Sequence, residues 1–234
     1  MISVAMAVYN GEKYIKEQIC SILAQLPKDD ELVISYDDSC DNTLNIINGL
    51  RGNDSRIKLV NGPSKGLIKN FENAIVNCSN EYIFLSDQDD VWCENKVSEV
   101  MSMFEKNDVD LVLHDAKIVD ENLNVLFPSF FERRNSKKGL FNNTIKNSYI
   151  GCCMAFKASL KNKILPFPEK IPMHDQWIGL IAEKYGKVEF LNKTLLLYRR
   201  HDETITKGKR ADVITMLKWR ARILNELFKR SKNL

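Results

Sequence analysis

Ser86-Asp87-Gln88-Asp89-Asp90-Val91-Trp92 sets three carboxylates within four residues, directly after the apolar run Tyr82-Ile83-Phe84-Leu85. Like charges so close repel one another unless a cation sits among them. The cation suited to oxygen ligands is a hard divalent ion, Mg2+ or Mn2+, which keeps water and phosphate oxygens in its remaining coordination positions. The competing reading is a solvated acidic turn in which Asp90 caps the following helix. Asp37-Asp38-Ser39 ends a second apolar run, and its carboxylates can accept from a base N–H and from ribose hydroxyls, while Asp41 reads as a helix cap. Val8-Tyr9-Asn10-Gly11 ends a third run; there Tyr9 can flank a base and Asn10 can cap the next helix, or the four residues form a structural turn. His114-Asp115 after Leu111-Val112-Leu113 either lines a cleft or ends a strand.

These groups act together only if one scaffold edge presents them. Ile2 to Val8 is a short apolar run, and Lys13 to Leu26 then places Ile15, Ile19, Ile22, Leu23 and Leu26 on one helical stripe. The unit repeats with Leu32 to Tyr36 and a helix over 41–50, and again with Ile57 to Val60 and a helix bearing Leu67, Phe71, Ala74, Ile75 and Cys78. Strands separated by helices of this length imply right-handed crossovers, a parallel sheet and ligands at the carboxyl ends of the strands. Further on, the pattern predicts a helix bearing Val97, Val100, Met101 and Phe104, and a strand over 110–119. An irregular loop over the site follows at 127–138, then an apolar strand within 149–156, a helix over 175–185 stopped by Gly186, and two strands at 188–191 and 195–198.

Other chemistries are poorly supported. The 234 residues contain no G-x-x-x-x-G-K-[ST] loop, no G-x-G-x-x-G fingerprint and no H-E-x-x-H helix. The six cysteines form no C-x-x-C pair, so a disulfide framework or structural zinc site is unsupported, and the adjacent Cys152 and Cys153 read as packing residues in the apolar strand. No run approaches the ~18 apolar residues of a membrane span, and the N-terminus lacks a signal peptide's features, so a cytoplasmic protein is expected.

The ordered set of segments resembles the nucleotide-sugar glycosyltransferases of family 2, over roughly residues 2 to 205. The segments are Val8-Tyr9-Asn10-Gly11, Asp37-Asp38 with Ser39 to Thr43, Gly66 to Asn70, Asp87-x-Asp89 with Asp90 and Trp92, His174-Asp175-Gln176-Trp177, and Tyr198-Arg199-Arg200-His201. One departure stands out. The family writes Asp-Asp-Gly-Ser-x-Asp, whereas Asp37-Asp38-Ser39-Cys40-Asp41 is one residue shorter and lacks the glycine, which predicts an altered base-binding turn.

The resemblance implies an α/β GT-A (Rossmann-like) fold: a mixed, mostly parallel central sheet flanked by helices, to which the tail's own spacing adds a C-terminal amphipathic helix. It implies that residues 1–206 form the transferase domain, with a nucleotide-binding half to about 115 and an acceptor-side half over 116–206. Donor contacts are implied for Val8, Tyr9, Asn10, Asp37, Asp38, Lys65, Asn70, Asp87 and Arg199, and metal contacts for Asp87, Asp89 and His201, with Mn2+ or Mg2+ as cofactor. Asp175 stands where the family places its catalytic base, a group the chemistry demands because an acceptor hydroxyl is a poor nucleophile until its proton is taken; the bland alternative is a helix N-cap. His201 is otherwise an ordinary hydrogen-bonded residue at a strand end.

The expected reaction is inverting, metal-dependent transfer of one sugar from a UDP- or dTDP-sugar to a saccharide or polyprenyl-linked acceptor in bacterial surface polysaccharide synthesis. The rival is a catalytically silent sugar-nucleotide-binding or scaffold protein. Leu217-Lys218-Trp219-Arg220 stands in place of the processive members' Gln-x-x-Arg-Trp, which favours single addition. Net charge is +3, but residues 207–234 hold nine lysines and arginines against Asp212 and Glu226. In this tail Met216, Trp219, Ile223 and Leu227 fall at helical spacing, with Leu217, Leu224 and Phe228 widening the stripe. The stripe either packs on the domain or lies on an anionic membrane at the inner face of the cell. Without a recognition module, nucleic acid is not an expected partner.

Overall fold

The computed structural model describes residues 1–201 and 212–233; the boundary expected between 206 and 207 lies outside them. The first half runs β1 (Ile2–Val8), α1 (Ile15–Leu23), β2 (Glu31–Tyr36), α2 (Thr43–Arg51), β3 (Ile57–Asn61), α3 (Leu67–Asn77) and β4 (Tyr82–Ser86). The second half runs β5 (Val91–Trp92), α4 (Lys96–Lys106), β6 (Leu111–Val119), β7 (Val125–Phe127), α5 (Phe130–Arg134), α6 (Leu140–Ile145), β8 (Met154–Lys157), α7 (Lys161–Ile164), α8 (His174–Tyr185), β9 (Val188–Arg199) and α9 (Val213–Asn233).

The strands form one sheet in the order β3-β2-β1-β4-β8-β6-β9-β5, with β7 on β6. β3, β2, β1 and β4 are mutually parallel, which directs the ends of all four at one edge. All seven residues of β1 are buried, as befits a strand covered by helices on both faces. The helical stripes do the covering: Ile15, Ile19 and Ile22 of α1 and Phe71, Ala74 and Ile75 of α3 are buried in the same core. β8 runs antiparallel to both β4 and β6, so β6 regains the direction of β4. Through this register His114 and Asp115 stand level with the carboxyl end of β4.

Several local expectations are corrected. His114 is not at a strand end: β6 continues through it to Val119. Only Met154–Lys157 of the segment expected as an apolar strand is extended; Gly151–Cys153 is a single tight turn of helix. The two strands expected at 188–191 and 195–198 are one strand, β9, whose register on β6 jumps from Leu191 to Thr194. The exposed Asn192 and Lys193 interrupt the apolar pattern, and the irregularity absorbs them without ending the strand. The irregular stretch expected at 127–138 holds the end of β7 and all of α5. Asp115 anchors it, accepting from Phe131 N at 2.9 Å and from Ser129 Oγ at 2.5 Å.

α9 packs on the second half of the fold. Ile223 and Leu227 are buried, Arg230 donates to the carbonyls of Lys163 and Leu165 and stands 5.4 Å above the Trp177 ring, and Tyr185 OH reaches Ser231 Oγ at 2.8 Å. Truncating a fully buried isoleucine leaves a cavity as well as lost apolar burial. Ile223→Ala is therefore expected to destabilise the whole chain by about 2–4 kcal/mol, read as a lower urea midpoint. An unmoved midpoint would mean that α9 does not share the fold's cooperative unit.

Candidate active site

Three loops at the carboxyl edge are laced by backbone and side chain. Val8 O accepts from Asp37 N at 2.9 Å, and Tyr36 O from Gly62 N at 2.7 Å, tying β1 to β2 and β2 to β3 just beyond their ends. Asn10 takes a positive φ of 49°, a conformation asparagine tolerates better than most residues. It does not cap α1. Its N–H donates to Ser39 Oγ at 2.9 Å and its Oδ1 accepts from Cys40 N at 3.0 Å, which stitches the first loop onto the shortened second turn. That turn closes without the missing glycine because Ser39 N donates to Tyr36 OH at 3.0 Å. Asp41 serves both loops, accepting from Thr43 N at 3.1 Å and Glu12 N at 3.0 Å.

Of the expected donor residues, Asp37 is buried and its Oδ1 accepts from Ser64 N at 2.8 Å, so it holds the turn after β3. Only glycine fits beneath that contact, since a Cβ at Gly62 would lie 2.2 Å from Asp37 Oδ1. Asp38 and Tyr9 face solvent at the mouth, and Lys65 is exposed on the rim between two positive-φ residues, Ser64 and Gly66. Val8 contributes its carbonyl, which also accepts from Asn70 Nδ2 at 3.1 Å. Asn70 Oδ1 is buried without a partner in the structure.

The acidic loop is gripped from below. Gln18 sits on the apolar face of α1, and its Nε2 donates to Ser86 Oγ at 2.8 Å and Asp87 O at 2.9 Å. Gln88 folds back so that its amide satisfies Tyr9 N at 2.9 Å and Tyr9 O at 2.8 Å. Arg199, expected at the donor, instead braces the loop. Its Nε donates to Asp89 O at 2.8 Å, Nη1 to Glu121 O at 2.5 Å and Nη2 to Glu17 Oε2 at 2.5 Å, while its backbone N–H meets Asp90 Oδ1 at 2.9 Å. The guanidinium stacks 4.5 Å from the Tyr14 ring centroid and is almost wholly buried, which commits it to the protein.

The carboxylates divide by depth. Asp89 Oδ2 is 2.9 Å from His201 Nε2, and the His201 ring packs 4.9 Å from that of Tyr14. Asp90 is fully buried with Oδ2 unpartnered, so it neither caps α4 nor meets solvent. Burial, then Asp89 and Asp87, push its carboxyl well above the usual range. Asp87 is pushed up to about 7 by burial first and then by the charges of Asp89 and Asp175. Ligating atoms of Asp87, Asp90 and Cys152 lie within 4.8 Å of one another. Burial keeps the Cys152 thiol protonated, so a neutral group lies beside these carboxylates. Lys96 is the buried cation beneath, its Nζ bonded to Cys152 O at 2.8 Å and 4.0 Å from the Trp92 ring centroid. Among the described residues the structure thus gathers Asp87 and Asp90 with Cys152, while Asp89, expected with Asp87 and His201 as a metal ligand, pairs with His201 beyond the end of β9. Carboxylates this close, with one buried oxygen lacking a donor, have chemistry that fits a hard divalent cation.

Asp175 is the second residue of α8, behind the cap position at Met173, so it is not the N-cap. Its Oδ1 accepts from Gln176 N at 2.5 Å, and burial pushes the carboxyl up to about 6. His174 beside it is pushed down to about 3 by burial and stacks on Phe71 at 4.0 Å, a neutral packing group. Asp175 comes from α8, in the second half of the chain, near enough to the acidic loop for its charge to help raise the Asp87 carboxyl. His114 does not line this cleft: it is buried in β6, with Nδ1 2.8 Å from Asp115 O. Sequence reasoning missed Gln18, Glu17, Tyr14, Gln88 and Ser39. Only Gln18 carried a signal, a polar side chain on the stripe between Ile15 and Ile22.

The model of the family described as Glycosyl transferase family 2 matches residues 3–165. Over 214 residues the chain is 30% identical to an Escherichia coli protein, UDP-Glc:alpha-D-GlcNAc-diphosphoundecaprenol beta-1,3-glucosyltransferase WfgD, a match covering 89% of this chain and 81% of that one. It is 31% identical over 217 residues to the Shigella flexneri dTDP-rhamnosyl transferase RfbG, covering 84% and 72% of the two chains. Among solved structures it is similar to S. aureus TarS 1-349 in complex with UDP-GlcNAc, with a TM-score of 0.73 and 21% identity, over 98% of this chain and 72% of that one. The likeness to TarS is one of fold, and the fold is the expected GT-A arrangement.

The Asp175 carboxyl, at about 6 instead of the free value of 3.8, holds its proton more tightly folded than unfolded. Its contribution to stability is therefore complete below pH about 4 and lost as pH rises through about 6. Asp175→Asn cannot ionise and is expected to be more stable than the parent by about 2–3 kcal/mol near pH 7.5, with the gap closing near pH 4. Urea unfolding with chelator at the two pH values measures this; equal stabilities near pH 7.5 would refute the buried-charge penalty.

Proposed function

The chain belongs to glycosyl transferase family 2 and is a glycosyltransferase, and from that premise we propose that it transfers one sugar from a UDP- or dTDP-linked donor to a saccharide carried on a polyprenyl diphosphate, with inversion. The observation that carries this reading is the pairing of Asp175 with Asp87 across the cleft: one raised carboxyl opposite a loop of clustered carboxylates.

The nucleoside enters at the mouth formed by Tyr9 and Asp38. Asn70 Oδ1, buried and unpartnered, supplies the acceptor for the imide N–H that uracil and thymine share. This agrees with relatives named for UDP-glucose and dTDP-rhamnose chemistry. Asp87, Asp89 and His201 would hold Mn2+ or Mg2+, which when bound would neutralise charge on the diphosphate. Arg199 keeps Asp89 and Asp90 in place as a positioning residue, and Lys65 on the rim reaches toward the diphosphate.

Asp175 takes the proton of the acceptor hydroxyl as its oxygen bonds to the anomeric carbon. The bond from that carbon to the phosphate oxygen breaks at the same time, and its electron pair leaves with the nucleoside diphosphate. One base and one displacement give inversion. A carboxyl at about 6 is ionised, and so competent as a base, at neutral pH. Addition of a single sugar agrees with the absence of the processive motif, and among the described residues no helix is long and apolar enough to cross a membrane. The basic C-terminal segment is taken to hold the enzyme on the anionic inner face of the membrane, beside a lipid-linked acceptor.

Two substitutions separate these roles. Asp89→Asn is expected to abolish metal-dependent release of UDP or dTDP while leaving the unfolding midpoint within about 0.5 kcal/mol of the parent. Asp175→Asn should retain donor binding by calorimetry but slow transfer on the order of 10²-fold or more, and parent kcat should rise with pH through about 6 and level above it. Donor binding without any nucleoside diphosphate release by the parent would establish a silent binding protein instead, and loss of donor affinity in Asp175→Asn would move that residue to the donor site.

A further inference from the structure

α9 has a second apolar line besides the one that packs. Leu217, Leu224 and Phe228, spaced by seven and four residues, share one side of the helix and are 55%, 51% and 60% exposed. α6 lies against α9, and its Ile145 carbonyl accepts from Arg220 Nε at 3.0 Å and Nη2 at 2.6 Å. That short helix adds Leu140, Phe141 and Ile145, at 36%, 77% and 46% exposed. These six large apolar side chains, with Trp219 of α9 a seventh at 40% exposed, face water on two touching helices, where scattered single ones are the norm.

The rim of this face is basic. Lys137 and Lys146 flank α6, and Lys218, Arg222 and Lys232 line α9; Lys138 and Lys229 are paired with Glu189 and Glu226 at 2.8 and 2.7 Å, which leaves the rim net positive. A second copy seated across a two-fold axis would set this basic rim against itself, a repulsive match. A surface of anionic headgroups over an apolar interior complements both features at once. The position relates to the reaction as well. Asn143 of α6 accepts from Gln176 Nε2 at 2.9 Å, and Gln176 adjoins Asp175, so the face lies one helix away from the candidate base.

We propose that the composite α6–α9 face, and not the C-terminal segment alone, docks the protein on an anionic lipid bilayer with the Asp175 side of the cleft turned toward the membrane. The proposal rests on the reading of a lipid-linked acceptor and identifies the surface that serves it. α6 supplies the most exposed anchor, Phe141, and α9 the longer apolar line.

The test uses the full chain and sedimentation with vesicles of phosphatidylcholine, with and without about 30 mol % phosphatidylglycerol, at about 50 and 500 mM salt. Binding to the anionic vesicles at low salt is expected, weaker at high salt and at least tenfold weaker in Phe141→Ser with Phe228→Ser and in Lys218→Glu with Arg222→Glu. Hydrolysis of UDP-glucose or dTDP-rhamnose in water, without lipid, should be unchanged in both variants. No association at low salt would overturn the proposal, as would a Phe141→Ser, Leu217→Ser variant that binds like the parent. A parent dimer in analytical ultracentrifugation that the serine variants abolish would assign the face to a second copy and overturn it too. Vesicle binding with no donor turnover would uphold the docking face and sink the catalytic reading, so the two fail separately.

Discussion

The arrangement turns on the crowding of Asp87, Asp89 and Asp90 at the end of a buried strand. A carboxylate withdrawn from water is expensive unless it is bonded or neutralised, and these three also repel one another. Each neighbour answers part of that cost. Arg199 N meets one Asp90 oxygen, Lys96 contributes a buried positive charge, and His201 takes Asp89. What is left over, a raised Asp87 and an unpartnered Asp90 oxygen, is the imbalance that a divalent cation would relieve.

That constraint explains why remote elements converge. Gln18 interrupts the apolar stripe of α1 because something must hold the Asp87 carbonyl from beneath. Arg199 is the last residue of β9, and through its three guanidinium nitrogens the acidic loop, the turn after β6 and α1 become one unit. The sheet order places β8 between β4 and β6, and this antiparallel strand lets the second half of the chain return to the edge where the parallel strands end. Asp175 arrives there from α8, and the electrostatic coupling of Asp175 to Asp87 records how closely the two halves approach.

α9 carries a similar double demand. Ile223 and Leu227 join the core, while Leu217, Leu224 and Phe228 remain in water on an adjoining side of the same helix. One helix therefore packs through part of the expected stripe and leaves the rest in water, since the stripe seen in sequence is wider than the surface that α6 and α8 cover.

By itself the sequence determined what depends on neighbours along the chain. The repeated strand and helix units of the first half, the acidic loop after β4, Asp175 at a helix start and the amphipathic α9 all follow from periodicity and local spacing, which act over a few residues. Tertiary structure alone decided what depends on partners far apart. Arg199 became a brace because Glu17 and Glu121 meet it from 182 and 78 residues away. Asn10 became a stitch to Cys40 instead of a cap, Asp90 a buried carboxylate instead of a solvated turn, and β9 one strand across Asn192 and Lys193. The direction of β8 was also hidden, because side-chain alternation is the same for parallel and antiparallel strands. Burial and long-range hydrogen bonding assign a polar residue its role, and neither is written in the identity of its immediate neighbours.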